Sequence, residues 1–352
     1  MARPLARNAD IGADARRGLV PRVLTFMNSL PGSTSGAAKN LDILVVGEIL
    51  ADVIVRAADP RPTFGQVERY VDSVDLVMGS SSVIFACGAA ALGLRVAMAG
   101  LAGDDALGRF MLAAMAERGL DTSAVRLVPK MPTGASVVLA SAVDRAILTA
   151  PGTTPFMRVD DVPPELVRRA RHVHAGAVYV MDGLRPELPS LFRTARAGGA
   201  TTSFDTNWDP TETWQGGIRQ ILPETDVFLP NEVEATRIAR ESDPEAAARA
   251  LVAMGARVVA VKLGAAGAIA IAADGRLARC RAPHVEPVDT TGAGDTFDAG
   301  FITAWLAGRP IEECLAIAVA CGSLSTRGIG GTAGQPTLDE AEALARAAGL
   351  LP

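Results

Sequence analysis

The stretch VEPVDTTGAGDTFDAGFITAWLAG, residues 285–308, decides how the chain is read. Two threonines follow Asp289, a Gly-Ala-Gly turn follows them, and Asp295 stands where a helix begins. Phe297, Phe301 and Trp305 recur at i, i+4 and i+8, giving that helix one apolar face. Gly292 and Gly294 free the backbone to aim several N–H groups one way. The open N–H groups of a helix start, with its dipole, make a site for an anion. An acid in the first turn stabilises the dipole by roughly 0.3–1 kcal/mol and needs no further purpose. Beside an anion-binding turn, however, it repels the ligand unless the chemistry needs a base. Phosphoryl transfer supplies that need, because the attacking hydroxyl must lose a proton while negative charge spreads. In this reading Asp295 takes the proton, and the amides of Gly292, Ala293 and Gly294 hold the charge.

Outward from this turn the chain alternates short apolar runs with helical patterns. LDILVVGEILADVIVR, residues 41–56, reads as a buried strand, a glycine turn and a more alternating strand. A small-residue helix (80–94), a short strand (95–100) and an amphipathic helix (104–119) with acids in its first turn follow. Further strands are expected near 171–175, 201–205, 226–229 and 257–262, and helices over 294–307, 310–326 and 338–348. This rhythm predicts an α/β fold, a doubly wound and mostly parallel sheet flanked by helices on both faces. Two regions break it. Residues 53–77 and 134–149 read as strands without helices between them, which predicts a small β-sheet lid.

Composition narrows the function classes. The 352 residues are 49% hydrophobic, ample for one large core over about 41–350. The formal net charge of −5 offers no broad nucleic-acid footprint. No apolar run is long enough to suggest a membrane span, so a cytoplasmic protein is expected. Cys87, Cys280, Cys314 and Cys321 form no C-x-x-C pair and read as buried thiols. Residues 1–40 carry scattered arginines and the Gly/Ser-rich NSLPGSTSGAAKN without a secretory apolar core. They read as a disordered extension, or as an upstream start with Met27 opening a shorter protein.

No P-loop motif, no G-x-G-x-x-G after the first strand and no protein-kinase signature is present. Instead DTTGAGDTFDAGF resembles the signature of the PfkB family of carbohydrate kinases, with their ribokinase-like fold. VVGEILADVIV resembles that family's opening strand, with Asp52 where a ligand for sugar hydroxyls is expected. Residues 78–110 resemble its first signature region, FLPNEVEA carries an N-x-x-E pattern as Asn231 and Glu234, and VKLGAAGA resembles its nucleotide-side turn with Gly264 and Gly267. The resemblance runs over roughly residues 41–340.

The resemblance implies an ATP- and Mg2+-dependent kinase acting on a sugar or nucleoside hydroxyl. Asp295 falls on the catalytic base and Gly292–Gly294 on the anion hole. Asn231 and Glu234 fall on residues that organise Mg2+ and phosphate through water; N-x-x-E is also, in form, a helix capping box. Asp289 and Thr291 fall where many members hold a monovalent cation such as K+. Lys262, before Gly264, is placed to approach ATP phosphates.

Departures bear on the substrate. Ile84 stands where the family has an asparagine that contacts sugar hydroxyls. The run GSSS, Gly79 to Ser82, with Gly79 and Ser80 as candidate substrate contacts, supplies serine hydroxyls in its place, or those serines cap the helix. FDTNWDP has Asp209 where some sugar-acid kinases have arginine, which argues against a 2-keto-3-deoxygluconate kinase. His174, on one strand face with His172, is expected to approach the sugar from the strand's end, and an H-x-H metal site lacks a partner cluster. Arg145, in the lid, reaches a substrate oxygen or stays solvated. An aromatic content of only 4% leans toward a sugar over a nucleoside. A non-catalytic binder on the same fold is disfavoured by Asp295. Exposed lid edges predict a homodimer through the lid.

Overall fold

The computed structural model describes residues 39–141 and 144–352. The expected disordered extension therefore lies, up to residue 38, outside the described residues. Thirteen strands are formed among the described residues: β1 (Leu41–Val46), β2 (Leu50–Arg56), β3 (Ser73–Met78), β4 (Val96–Gly103), β5 (Asp121–Val128), β6 (Gly134–Ala140), β7 (Arg145–Ala150), β8 (Ala170–Ala175), β9 (Thr201–Phe204), β10 (Val227–Phe228), β11 (Val258–Lys262), β12 (Ala268–Ala272) and β13 (Leu277–Cys280).

Strand β1 is buried at every residue and apolar but for Asp42, which pairs with Arg95 and Arg171; this is the pattern of a central strand covered on both faces. Its side chains alternate between two cores. Ile43 and Val45 pack with Phe85, Phe297 and Phe301, whereas Leu44 and Val46 pack with Val173, Phe192 and Phe228. The main sheet has nine strands in the order β13-β12-β11-β10-β9-β8-β1-β4-β5. From β5 to β11 all neighbours are parallel; β12 and β13 close one edge antiparallel. The fold is thus the expected doubly wound, mostly parallel sheet flanked by helices. All four cysteines are buried free thiols.

The chain runs from β1 outward to β4 and β5, then returns to the other side of β1 at β8. Connections therefore diverge at the β1/β8 boundary. Open α/β sheets leave a crevice for ligands at the carboxyl ends of such strands. Here the helix Ser81–Ala91 drops its first turn into that crevice. The approach is so close that a Cβ on Gly47, just after β1, would lie 1.9 Å from Ser82 Oγ.

A second sheet, β3-β2-β6-β7, springs from the same place, because only residues 47–49 separate β1 from β2. Its period-two pattern makes two faces. Asp52, Ile54, Ser136 and Val138 are buried on the face toward the crevice. Val74, Leu76, Val137 and Leu148 stand exposed on the other. Among the described residues no helix is long and apolar enough to cross a membrane.

Candidate active site

A cavity of about 760 Å³ occupies the crevice, walled by Asp52, Ser136 and Arg145 of the second sheet and by Glu48, Asp205, Lys262 and Asp295 of the main domain. A second cavity of about 540 Å³ lies beside it, lined by Gly264, Gly267, Pro283, Val285, Phe297 and Val319. Lys262, Gly264, Thr290 and Gly294 border both. The turn singled out in the sequence therefore stands at the junction of two cavities.

Helix Ala293–Leu306 starts there. Gly292 is its N-cap, with φ +73°, a conformation that favours glycine, and a Cβ on it would lie 2.7 Å from Gly331 Cα. Gly294 is different: it sits inside the first helical turn, and a Cβ would meet nothing nearer than Lys262 Nζ at 3.6 Å. The expectation that both glycines serve the turn's backbone angles is corrected accordingly. Only Gly292 is conformationally demanding. Gly294 leaves bare backbone facing the junction.

Asp295 follows in the same turn and lines the larger cavity. One of its carboxylate oxygens lies with one from each of Asp205 and Asp298 within 4.8 Å of one another. Lys262 Nζ donates to Asp298 at 2.9 and 3.0 Å and lies 3.7 Å from Asp205. One ammonium thus faces three acids. Burial, then the charge on Asp205, pushes the Asp295 carboxyl well above the usual carboxylate range. Burial works against charge on Lys262 as well, but Asp298, Asp205 and Glu234 outweigh it and hold the amine protonated. Three convergent carboxylates offer the oxygen donors that Mg2+ prefers.

Asn231 and Glu234 line the larger cavity. They also form the capping box that their spacing suggested, at the helix Glu232–Ala239. Asn231 Oδ1 accepts from the Glu234 N–H at 3.0 Å, and the Asn231 N–H donates to Glu234 Oε2 at 2.9 Å. The cap points Glu234 inward, where burial and Asp205 raise its carboxyl to about 7. Gly264 and Gly267 bound the smaller cavity.

On the opposite wall, Asp52 is buried in β2 and burial raises its carboxyl to about 6. Gly79 does not line the cavity. It backs Asp52 so closely that a Cβ would lie 2.2 Å from Oδ1. Ser80 caps the helix Ser81–Ala91 through Val83 N–H and donates to the Glu48 carbonyl at 2.6 Å. It does so with φ +77°, a strained conformation for a serine that costs on the order of 1–3 kcal/mol. Arg145 lines the cavity and donates to Thr291 Oγ1 at 2.8 Å. Ile84, with Leu50, Val138, Ile147 and the half-exposed Trp208, forms an apolar wall.

His174 is not at the site. It is buried within the sheet, stacked on Phe85 at 3.7 Å, with Nδ1 bonded to Ser203 Oγ at 2.8 Å. His172 bonds Thr201 and Ser203 through its two ring nitrogens, so the pair holds the strands together rather than a metal. Burial depresses both rings, His172 to about 3, and keeps them neutral. Asp209, used above as a clue to the substrate, does not line the cavity, although Trp208 and Pro210 on either side of it do. It accepts from the Thr211 and Trp214 N–H groups and shapes its own loop.

Three acids at the site went unnamed in the sequence reading. Glu48 is buried, accepts from the Ser80 and Ser82 hydroxyls, and is raised to about 7 by burial. Its one local signal is its position just after Gly47. Asp205 directly follows β9, and Asp298 lies three residues after Asp295, a spacing that shares a helix face.

Comparison with known proteins agrees with this geometry. The chain is 30% identical over 279 residues to 2-dehydro-3-deoxygluconokinase of Bacillus subtilis, covering 72% of this chain and 82% of that one. It is 30% identical over 299 residues to the ATP-dependent ribose-1-phosphate kinase of Halopiger xanaduensis, covering 84% and 95%. The fold superposes on Arabidopsis thaliana ribokinase complexed with ribose and ATP with a TM-score of 0.75, at 25% identity, covering 87% of this chain and 99% of that one. The model of the pfkB family carbohydrate kinases matches residues 40–338. That match spans most of the chain and the whole of the sheet and site described above, and the chain belongs to the pfkB family of carbohydrate kinases.

Proposed function

We propose that the protein transfers the γ-phosphoryl group of ATP to a hydroxyl of a small sugar, with Asp295 as the general base. One observation carries the proposal: Asp295 and the bare backbone of Gly294 stand where the two cavities join. ATP fills the smaller cavity, its base against Val285, Phe297 and Val319 and its phosphates at the helix start. The sugar fills the larger one, with Asp52 accepting hydrogen bonds from its hydroxyls. Asp295 takes the proton of the attacking hydroxyl. The amides of Gly292, Ala293 and Gly294, with Lys262, hold the charge that develops on the transferred group. Mg2+ fits the acid set; Asp205 would hold it, with Asn231 and Glu234 through water, and it would neutralise charge on the ATP phosphates. The intact base disfavours a non-catalytic role. A reaction that consumes ATP also makes a cytoplasmic setting part of the proposal.

The apolar wall of Leu50, Ile84, Ile147 and Trp208 favours a second reading, a nucleoside whose base lies against it. An ATP-consumption screen over free sugars, sugar phosphates, sugar acids and nucleosides separates the two. ADP release with sugars alone supports the first, with nucleosides alone the second, and with none of them refutes both.

We take the second sheet to be the lid over the sugar cavity and its exposed outer face, Val74, Leu76, Val137 and Leu148, to be covered by the same face of a second copy. Such a contact is self-complementary, as two-fold dimers require. A Leu76→Lys, Leu148→Lys double variant is then monomeric by light scattering, whereas an unmodified protein that is already monomeric defeats the idea.

A further inference from the structure

The family resemblance puts a monovalent cation at Asp289 and Thr291, and the donor set there does not fit one. Asp289 Oδ1 accepts from the Thr291 N–H at 2.9 Å and the Thr291 hydroxyl at 2.7 Å. Oδ2 accepts from the Gly330 N–H at 2.9 Å and from Arg56 Nη2 at 3.3 Å. A carboxylate has about four acceptor positions, and four donors already face this one. Burial alone would raise the Asp289 carboxyl, but these hydrogen bonds outweigh it and hold it below its ordinary value. The charge that balances it is already present: the Arg56 side chain is about three-quarters buried, with its guanidinium 3.3 Å from the carboxylate. A metal ion added there would meet a like charge.

We propose that Arg56 is a built-in cation for the segment leading into the anion hole, so that this enzyme works without a monovalent metal ion. Arg56 ends β2 and Arg145 begins β7, and both stand in register with Ala140 of β6 across the second sheet. From that one row Arg56 reaches Asp289, and Arg145 reaches Thr291 Oγ1. Residues 289 and 291 immediately precede Gly292, whose positive φ starts the helix. The two arginines therefore fix the segment that aims the anion-hole amides, and they do so from the sheet that covers the sugar. Arg56 acts as a positioning residue: it touches neither reactant, and its charge substitutes for an ion that would otherwise be drawn from solution.

The test compares KCl with choline chloride at equal ionic strength. It rests on the kinase reading for its rate arm, but melting is read without any substrate, so the two ideas fail separately. In the unmodified protein, both the phosphorylation rate and the melting temperature are expected to be the same in the two salts. Arg56→Met keeps the apolar stem and removes the charge. It is expected to lose about 10-fold in kcat in choline chloride, with KCl specifically raising its melting temperature and recovering part of the rate. Arg56→Lys, which restores a charge, is expected to lose less and to ignore K+. A K+-specific gain in rate or melting temperature in the unmodified protein overturns the inference. So does an Arg56→Met variant that keeps full turnover in choline chloride. Should Arg56→Met not fold, the salt comparison on the unmodified protein and on Arg56→Lys decides alone.

Discussion

Replacing Asp295 with asparagine keeps the side chain's size and removes its proton acceptor. Everything else at the junction of the cavities stays: the Gly292–Gly294 backbone, Lys262 and the capping box at Asn231 and Glu234. A positioned general base contributes on the order of 10²–10⁴ in rate, roughly 2.7–5.4 kcal/mol of barrier. Turnover should fall by that amount while the Michaelis constant for ATP changes little. The structure adds a second expectation of opposite sign. Asp295 is held near Asp205 and Asp298 with one ammonium among them, and its carboxyl is pushed well above the ordinary range. A carboxyl with a raised folded pKa adds stability below its unfolded pKa, and that stability is lost as pH rises through the folded value. At alkaline pH the wild-type protein therefore carries a penalty that the neutral amide does not. Asp295→Asn should melt higher than wild type there, and should lose the wild-type rise of kcat/KM with pH. Coupled measurement of ADP release, with melting curves across the same pH range, tests both arms. Near-normal turnover on the true substrate refutes the base assignment. A variant that is inactive and also melts lower at alkaline pH refutes the electrostatic account of why the residue is placed there.

Four further substitutions probe the surrounding parts. Asp52→Ala removes a buried charged acceptor, a contribution of roughly 1.5–3 kcal/mol, and should raise the Michaelis constant for the sugar about 10-fold or more with that for ATP unchanged; equal losses for both would point to misfolding. Gly292→Ala and Gly294→Ala should separate, the first lowering the melting temperature because of its +73° φ, the second keeping the fold but losing activity because its methyl stands on the phosphate's backbone donors. The reverse order of stabilities would remove the phosphate-cradle reading. Glu48, whose carboxyl is lifted by burial from 4.5 to about 7, should cost the wild type about 3 kcal/mol relative to Glu48→Gln as pH rises through that window. Chemical denaturation of the two proteins at acid and alkaline pH measures this, and a pH-independent difference would show Glu48 to be neutral throughout.

Much of this protein is legible from local pattern. The uninterrupted burial of β1, the helix face through Phe297 and Phe301, the Asn231–Glu234 cap and the glycine before Asp295 all follow from spacings of four residues or fewer. Local pattern also set the second sheet apart, because residues 53–77 and 134–149 read as strands with no helix between them, and β2, β3, β6 and β7 draw on those regions. Sequence alone could not tell which polar groups face the ligand and which hold the sheet together. His174 lay one strand position from the crevice, but the register of β8 on β9 buried it against Ser203 and Phe85. Asp205 just after β9 and Lys262 at the end of β11 are brought within reach of Asp295 and Asp298 only by the strand order. The Arg56–Asp289 pair spans 233 residues of chain. Pattern in a sequence reports on neighbours along one helix or strand. The balance of charge in a buried site is a sum over whatever distant segments the sheet order assembles, and that sum exists only in the tertiary structure.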